Sequence, residues 1–204
     1  MQLPKFLFRS LIVFVATILL GGVSLSAQER AGEASYEATL YVLVGSDDAS
    51  QRADLPRALD PVSKQIRDSF SFRNYRLMNT YYGRLANSGS LEYKSVSSLK
   101  NSSTELDSPS FLEWQLAKFQ TEPTAAGNHG FGIEVFRFGA RVPVPVSSIK
   151  GPDGSSVPVT NYESVGLTLN KLRLNESKPT LIGTISLPRT TGTIFLVMTI
   201  APVS

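Results

Sequence analysis

Residues 194–200 read "IFLVMTI". Successive side chains of a strand point to opposite faces. Ile194, Leu196, Met198 and Ile200 therefore share one face, with Phe195, Val197 and Thr199 opposite. Over 194–198 both faces are apolar, which suits a central strand covered on both sides. Upstream, Leu181, Gly183, Ile185 and Leu187 share a face, and "PRTTG" turns the chain at 188–192. Two apolar strands about such a turn predict a β-hairpin that closes the fold from within. A membrane role for this stretch fails on length, because a spanning helix needs ~20 apolar residues. Pro188 and Gly192 break any longer run. Two strands alone cannot close a barrel in lipid. No membrane span is expected beyond the N-terminal segment.

Much of the remaining chain carries the same period of two. "YEATLYVLVG" places Tyr36, Ala38, Leu40, Val42 and Val44 on one face, and Glu37, Thr39, Tyr41 and Leu43 on the other. "RNYRLMNTYYGRLA" and "LEYKSVSSL" predict two strands joined by a turn at 87–90, where Gly89 supplies a positive φ. "FLEWQLAKFQ", 111–120, fits two periods. Leu112, Trp114 and Leu116 alternate as in a strand, whereas Leu112, Leu116 and Phe119 also line a helix; the strand is preferred. "TEPTAAGNHG" reads as a loop. "FGIEVFRFGARVPVPV" is extended. Its Pro143 and Pro145 lack an N–H, so its end is an edge or leaves the sheet. Past the turn signal "KGPDGSS", "VPVTNYESVGLTLNKLRL" gives one or two more strands, and "NESKP" turns again.

One helix signal stands out, "LDPVSKQIRDSF". Asp60 is placed to cap it, and Pro61 fits the first helical position. Val62, Ile66 and Phe70 recur every four residues as one apolar stripe. The fold class is mainly β, a β-sandwich or open barrel of about nine strands with one short α-helix near 61–70. The alternative class is α+β.

The N-terminus has the plan of a secretory leader. Lys5 and Arg9 precede an apolar run over 11–20, and "SLSA" precedes the polar "QER". The expected organisation is a signal peptide over 1–27, a flexible lead-in over 28–35 and a single β-rich domain over 36–204. The protein is expected to be exported, to the periplasm, the bacterial envelope or the exterior. The whole chain has a formal charge of +3, but the leader holds two bases and no acid, so residues 28–204 carry only +1. Such balance argues against a nucleic-acid partner, which wants a concentrated basic face. There is no cysteine, so neither a disulfide framework nor thiol chemistry is available.

Little in the chain points to catalysis. His129 is the only histidine, and a zinc site without a second His or any Cys would need carboxylates throughout. "SSLK" at 97–100 and "SSIK" at 147–150 match S-x-x-K, yet both fall at strand ends, and no K-T-G or S-D-N accompanies them. Asp47, Asp48, Asp54 and Asp60 lack the spacing of a calcium loop. Glu92, Glu113, Glu134 and Glu163 are scattered over the expected strands. No catalytic residue, metal or cofactor is therefore assigned, and the chain is read as a non-enzyme.

The candidate binding residues are Arg73, Tyr75, Arg76, Tyr81, Tyr82 and Arg84, because Tyr and Arg are the types that interfaces favour. A carbohydrate module would use Tyr75, Tyr81, Tyr82 and Trp114 instead. The expected partners are envelope proteins, or a second copy through an edge strand. An envelope hydrolase is the remaining alternative.

The stretch "PTLIGTISLPRTTGTIFLVMTIAP" resembles the end of the secretin core, the outer-membrane channel of type II and III secretion. Leu181, Ile182 and Gly183 match its small turn, and residues 196–202 match its final apolar strand. The long loop that secretins place between these strands is replaced by 188–192. "LDPVSKQIRDSFSFRNYRL" is similar to short exported bacterial proteins of unknown function. The resemblance implies an envelope β-domain, and no catalytic residue carries over from it. A subunit or accessory of a secretion or pilus-like system, acting through the hairpin or an edge strand, is the functional setting expected for such a domain.

Overall fold

Strands β1 (Ser35–Ser46), β2 (Asn74–Ala86), β7 (Thr180–Ser186) and β8 (Thr193–Pro202) form one sheet, in the order β2-β1-β8-β7. Strands β3 (Leu91–Ser97), β4 (Ser110–Pro123), β5 (His129–Lys150) and β6 (Ser156–Asn175) form a second, in that order. Every neighbouring pair is antiparallel. The structure is a computed structural model that describes residues 34–47, 55–97, 109–123, 129–151, 156–188 and 192–203. The expected signal peptide over 1–27, and the expected lead-in up to residue 33, lie outside the described residues. The two sheets make a sandwich-like fold, not a closed barrel. Eight strands are described where about nine are expected, because 156–175 is one continuous strand. The segment 111–120 is strand throughout.

The apolar alternation builds two cores. Ala38, Leu40 and Val42 of β1 and Leu196, Met198 and Ile200 of β8 meet Leu112, Trp114, Phe136 and Phe138 between the sheets. The opposite face of β8 is covered by helix α1 (Asp60–Ser69). There Phe195 and Val197 are fully buried with Leu43, Leu59, Val62, Ile66 and Tyr75. Sheet β2-β1-β8-β7 is thus the middle layer of three, which is why 194–198 is apolar on both faces. Asp60 does not cap the helix. Its φ of −50° and ψ of −45° are already helical, and a one-turn 3-10 segment, Arg57–Leu59, precedes it. A capping side chain needs non-helical backbone, so Asp60 contributes only a negative charge in the first turn, where the helix dipole favours one.

Irregularities decide which side chains share a face. Val42 pairs with Asn79 but Leu43 with Leu77, so Met78 is an extra residue in β2. The extra residue reverses the parity of the strand. Tyr75 and Leu77 consequently face the helix, while Tyr81 and Leu85 face the other sheet. Ile182 is likewise extra in β7. Leu181 therefore turns to the helix side and Ile182 inward, against the simple alternation from 181 to 187.

A longer fault crosses the second sheet. Ala117 pairs with Val135 and Phe119 with Ile133, skipping Lys118 and Glu134. The ladder to β6 skips Glu134 and Lys171. Lys118 and Lys171 have φ of 55° and 57°. Parity reverses on all three strands together, so Leu116 and Phe119, Ile133 and Phe136, and Leu169 and Leu172 all reach the core. This fault is also why 111–120 fits a helical period.

The turn at 87–90 joins strands of different sheets. Ser88, not Gly89, has the positive φ, 65°. The turn is clipped to β4 by Ser88 N–H donating to Phe119 O (2.7 Å) and Phe119 N–H donating to Gly89 O (3.1 Å). At the far end of β4, the ladder to β5 stops at Phe111↔Arg141. The ladder between β5 and β6 continues to Lys150↔Ser156. Residues 142–150 and 156–163 thus form a two-stranded arm, about 30 Å long at ~3.3 Å per residue. Pro143 and Pro145 sit where β4 ends, as expected of residues that cannot donate to a further strand.

Candidate functional site

The six Tyr and Arg residues singled out in the sequence do not form one surface. Tyr75 is 5% exposed beneath the helix. Its hydroxyl donates to Phe70 O at 2.6 Å, and Arg67 lies 5.7 Å from its ring centroid. Burial pushes the Tyr75 phenol above its ordinary value, against the lowering pull of a hydrogen bond with Phe72 and of Arg67. Tyr81 is buried between the sheets, hydrogen-bonded to Ser95 and accepting from Asn79 Nδ2 at 3.2 Å. Arg73 lies just before β2, and its backbone N–H donates to Asp47 Oδ1 at 3.2 Å. Arg76 is half-buried opposite Val44.

Only Tyr82 and Arg84 are brought together. Tyr82 is 49% exposed. Its hydroxyl, and then Glu37 at 3.4 Å, hold the Arg84 guanidinium above its ordinary range. The Met78 bulge is the cause of the split, since it sends Tyr75 and Tyr81 to opposite faces. Trp114 is also buried and stacks on Tyr93 at 5.2 Å and 8°. Of the four aromatic residues of the carbohydrate reading, only Tyr82 is exposed.

The solvent face of the second sheet holds an open depression of about 590 Å³. Gly139 and Gly166 pair at its floor, and Glu92, Lys94, Glu113 and Arg137 line it. Glu92 pairs with Lys94 at 3.2 Å. The Glu113 side chain lies over Gly139, where an added Cβ would stand 3.2 Å from its carboxylate. The sequence alone did not bring Glu92 and Glu113 together; the pairing Lys94↔Glu113 in the β3–β4 ladder does. Both carboxylates are exposed to solvent.

A different feature marks the end of this sheet. Among the described residues six large apolar side chains are exposed: Tyr82, Val96, Phe111, Val146, Ile149 and Val157. Five of them, all except Tyr82, lie where β3 and β4 end or on the arm beyond. Val96 pairs with Phe111, Phe111 with Arg141, and Ile149 with Val157. Arg141 stands over the rings of Phe111 and Tyr162, at 5.9 and 5.6 Å. Tyr162 is held by its hydroxyl donating to Pro109 O at 3.0 Å. The sequence signal for this region was the Pro143–Pro145 pair, which foretold that the strand becomes an edge or leaves the sheet but not that aliphatic side chains are exposed along it.

Among the described residues no cluster of three or more His, Asp or Glu is placed to hold a metal ion. His129 pairs with Pro123 at the start of β5 and so belongs to a strand, not to a loop. "SSIK" lies in the exposed arm, while residues 98–100 of "SSLK", and Asp48 and Asp54, lie outside the described residues. No helix among the described residues is long and apolar enough to cross a membrane. No family model, curated protein or solved structure matches this chain.

Proposed function

We propose that this chain is an exported protein of the bacterial envelope that acts by binding or assembly rather than by catalysis, and that its partner sits on the arm end of the second sheet. The carrying observation is that five of the six large apolar side chains exposed among the described residues lie at this end. Val96 and Phe111 stand in one cross-strand row with Arg141, and Val146, Ile149 and Val157 lie along the arm, the Ile149–Val157 pair on its other face beyond the register shift at Val146. Exposed apolar side chains scattered singly are ordinary, but such a concentration at one end marks an interaction surface. An arm of two strands has little stability of its own, so a partner that covers it gains apolar burial. Phe111, Tyr162 and Arg141 add residue types that dominate binding energy when desolvated. The likeness of 180–202 to the secretin core suggests a secretion or pilus-like system as the setting.

The test is site-specific photocrosslinking in the cells that make the protein, with benzoylphenylalanine at Val157 or, as a control, at Tyr82. The Val157 probe is expected to capture a defined envelope protein that Ile149→Asp releases. Equal capture from both positions, or none from Val157, would overturn the proposal.

A further inference from the structure

Resting on that reading, we infer that Arg141 is the anchor of the interface and receives a carboxylate of an acidic peptide segment whose neighbouring residues are apolar. The Arg141 guanidinium and the rings of Phe111 and Tyr162 form a triangle with sides of 5.9, 5.6 and 5.7 Å. Contact with two rings fixes the plane of the guanidinium, and no described carboxylate pairs with its N–H edge. Tyr162 is itself fixed by its bond to Pro109 O. Arg141 is exposed and makes no ion pair among the described residues. A planar fork held ready in this way matches a carboxylate through two parallel hydrogen bonds.

The surroundings narrow the ligand. Glu92 and Glu113 on the same solvent face are balanced by Lys94 and Arg137, so Arg141 is left with a single uncompensated charge there, which matches one carboxylate better than a doubly charged phosphate or an anionic lipid surface. Val96 and Phe111 continue the row from Arg141 and are 62% and 40% exposed, so apolar side chains flanking the carboxylate would cover them. Pro143 and Pro145 deny such a segment a backbone ladder on that edge of β5. Recognition therefore falls to the side chains.

The experiment follows the arginine Nε–Hε signals of the purified protein by NMR during titration with N-acetyl-leucine, its amide and inorganic phosphate at constant ionic strength. N-acetyl-leucine is expected to shift the Arg141 signal saturably, with Arg137, an arginine of the same strand, unmoved. The amide should have no effect, and phosphate should bind more weakly than the acid. Arg141→Lys should weaken binding about tenfold, the loss of one charge-assisted hydrogen bond. Tyr162→Leu should weaken it while leaving every charge in place. Parallel movement of Arg137 and Arg141, equal effects of acid and amide, or binding only to phosphatidylglycerol vesicles would each overturn the inference. If Arg141→Lys leaves the Val157 crosslink intact, the proposed function stands and this anchor falls.

Discussion

Lys118 and Lys171 hold a backbone conformation that L-residues avoid, with φ of 55° and 57°. That conformation costs roughly 1–2 kcal/mol for a residue with a Cβ. Glycine relieves it but loses about 0.5–1 kcal/mol in unfolded-state entropy. Lys171→Gly should therefore be neutral or slightly stabilising. Lys171→Val, a β-branched residue at positive φ, should cost about 1–2 kcal/mol. Urea midpoints of the two variants decide this, and equal midpoints would mean that the fault is not strained at that residue. Tyr75 offers a pH test. Burial raises its phenol pKa, so the folded state keeps the proton longer than the unfolded state does. Its stability contribution is complete below the ordinary phenol value of about 10 and is lost as pH rises through the higher folded value. Thermal melts above about pH 10 should fall less steeply for Tyr75→Phe than for the parent. An unchanged slope would show that this phenol does not drive the alkaline loss.

At the scale of elements, helix and arm occupy opposite situations. The helix buries Val62 and Ile66 against β8 and needs that contact, being only ten residues long. The arm has no third strand, and although Val142 and Val144 at its base are buried, Val146, Ile149 and Val157 further out remain in solvent. An exposed strand edge invites pairing with other chains, and proline is one device that prevents it. Pro143 and Pro145 stand on β5 where β4 has ended, so their missing donors blunt the side that β4 vacates. Replacing both with threonine should restore those donors and promote self-association through the arm edge. Light scattering during incubation should rise well above that of the parent. If it does not, the prolines serve arm stiffness rather than edge protection.

For the molecule as a whole, the order β2-β1-β8-β7 makes β8, the last described strand in chain order, a central one. β8 pairs with β1 along ten register positions and with β7 along six. It is covered by the helix on one face and by the second sheet on the other. Stability should therefore be graded outward from β1 and β8. Amide hydrogen exchange is expected to be slowest in β8 and β1, and fastest in the arm and in β3. Arm amides as slow as those of β8 would contradict this gradient.

The local pattern was enough for the strands, the helix stripe and the doubly apolar β8, because these depend on the period of side chains along one element. It also foretold that the strand becomes an edge or leaves the sheet near Pro143, since a missing N–H is a property of the residue itself; β5 in fact stays paired with β6 and loses only β4. The sequence did not show which side chains share a face after Met78, Ile182 or the Lys118–Glu134–Lys171 fault. An extra residue reverses parity only relative to a partner strand, and the partner is known only from pairing. For that reason the candidate tyrosines and arginines read as one cluster but occupy three environments. The same holds for the arm. Val146, Ile149 and Val157 look like any buried strand residues in the sequence. Only the end of β4, in the assembled sheet, leaves them in water.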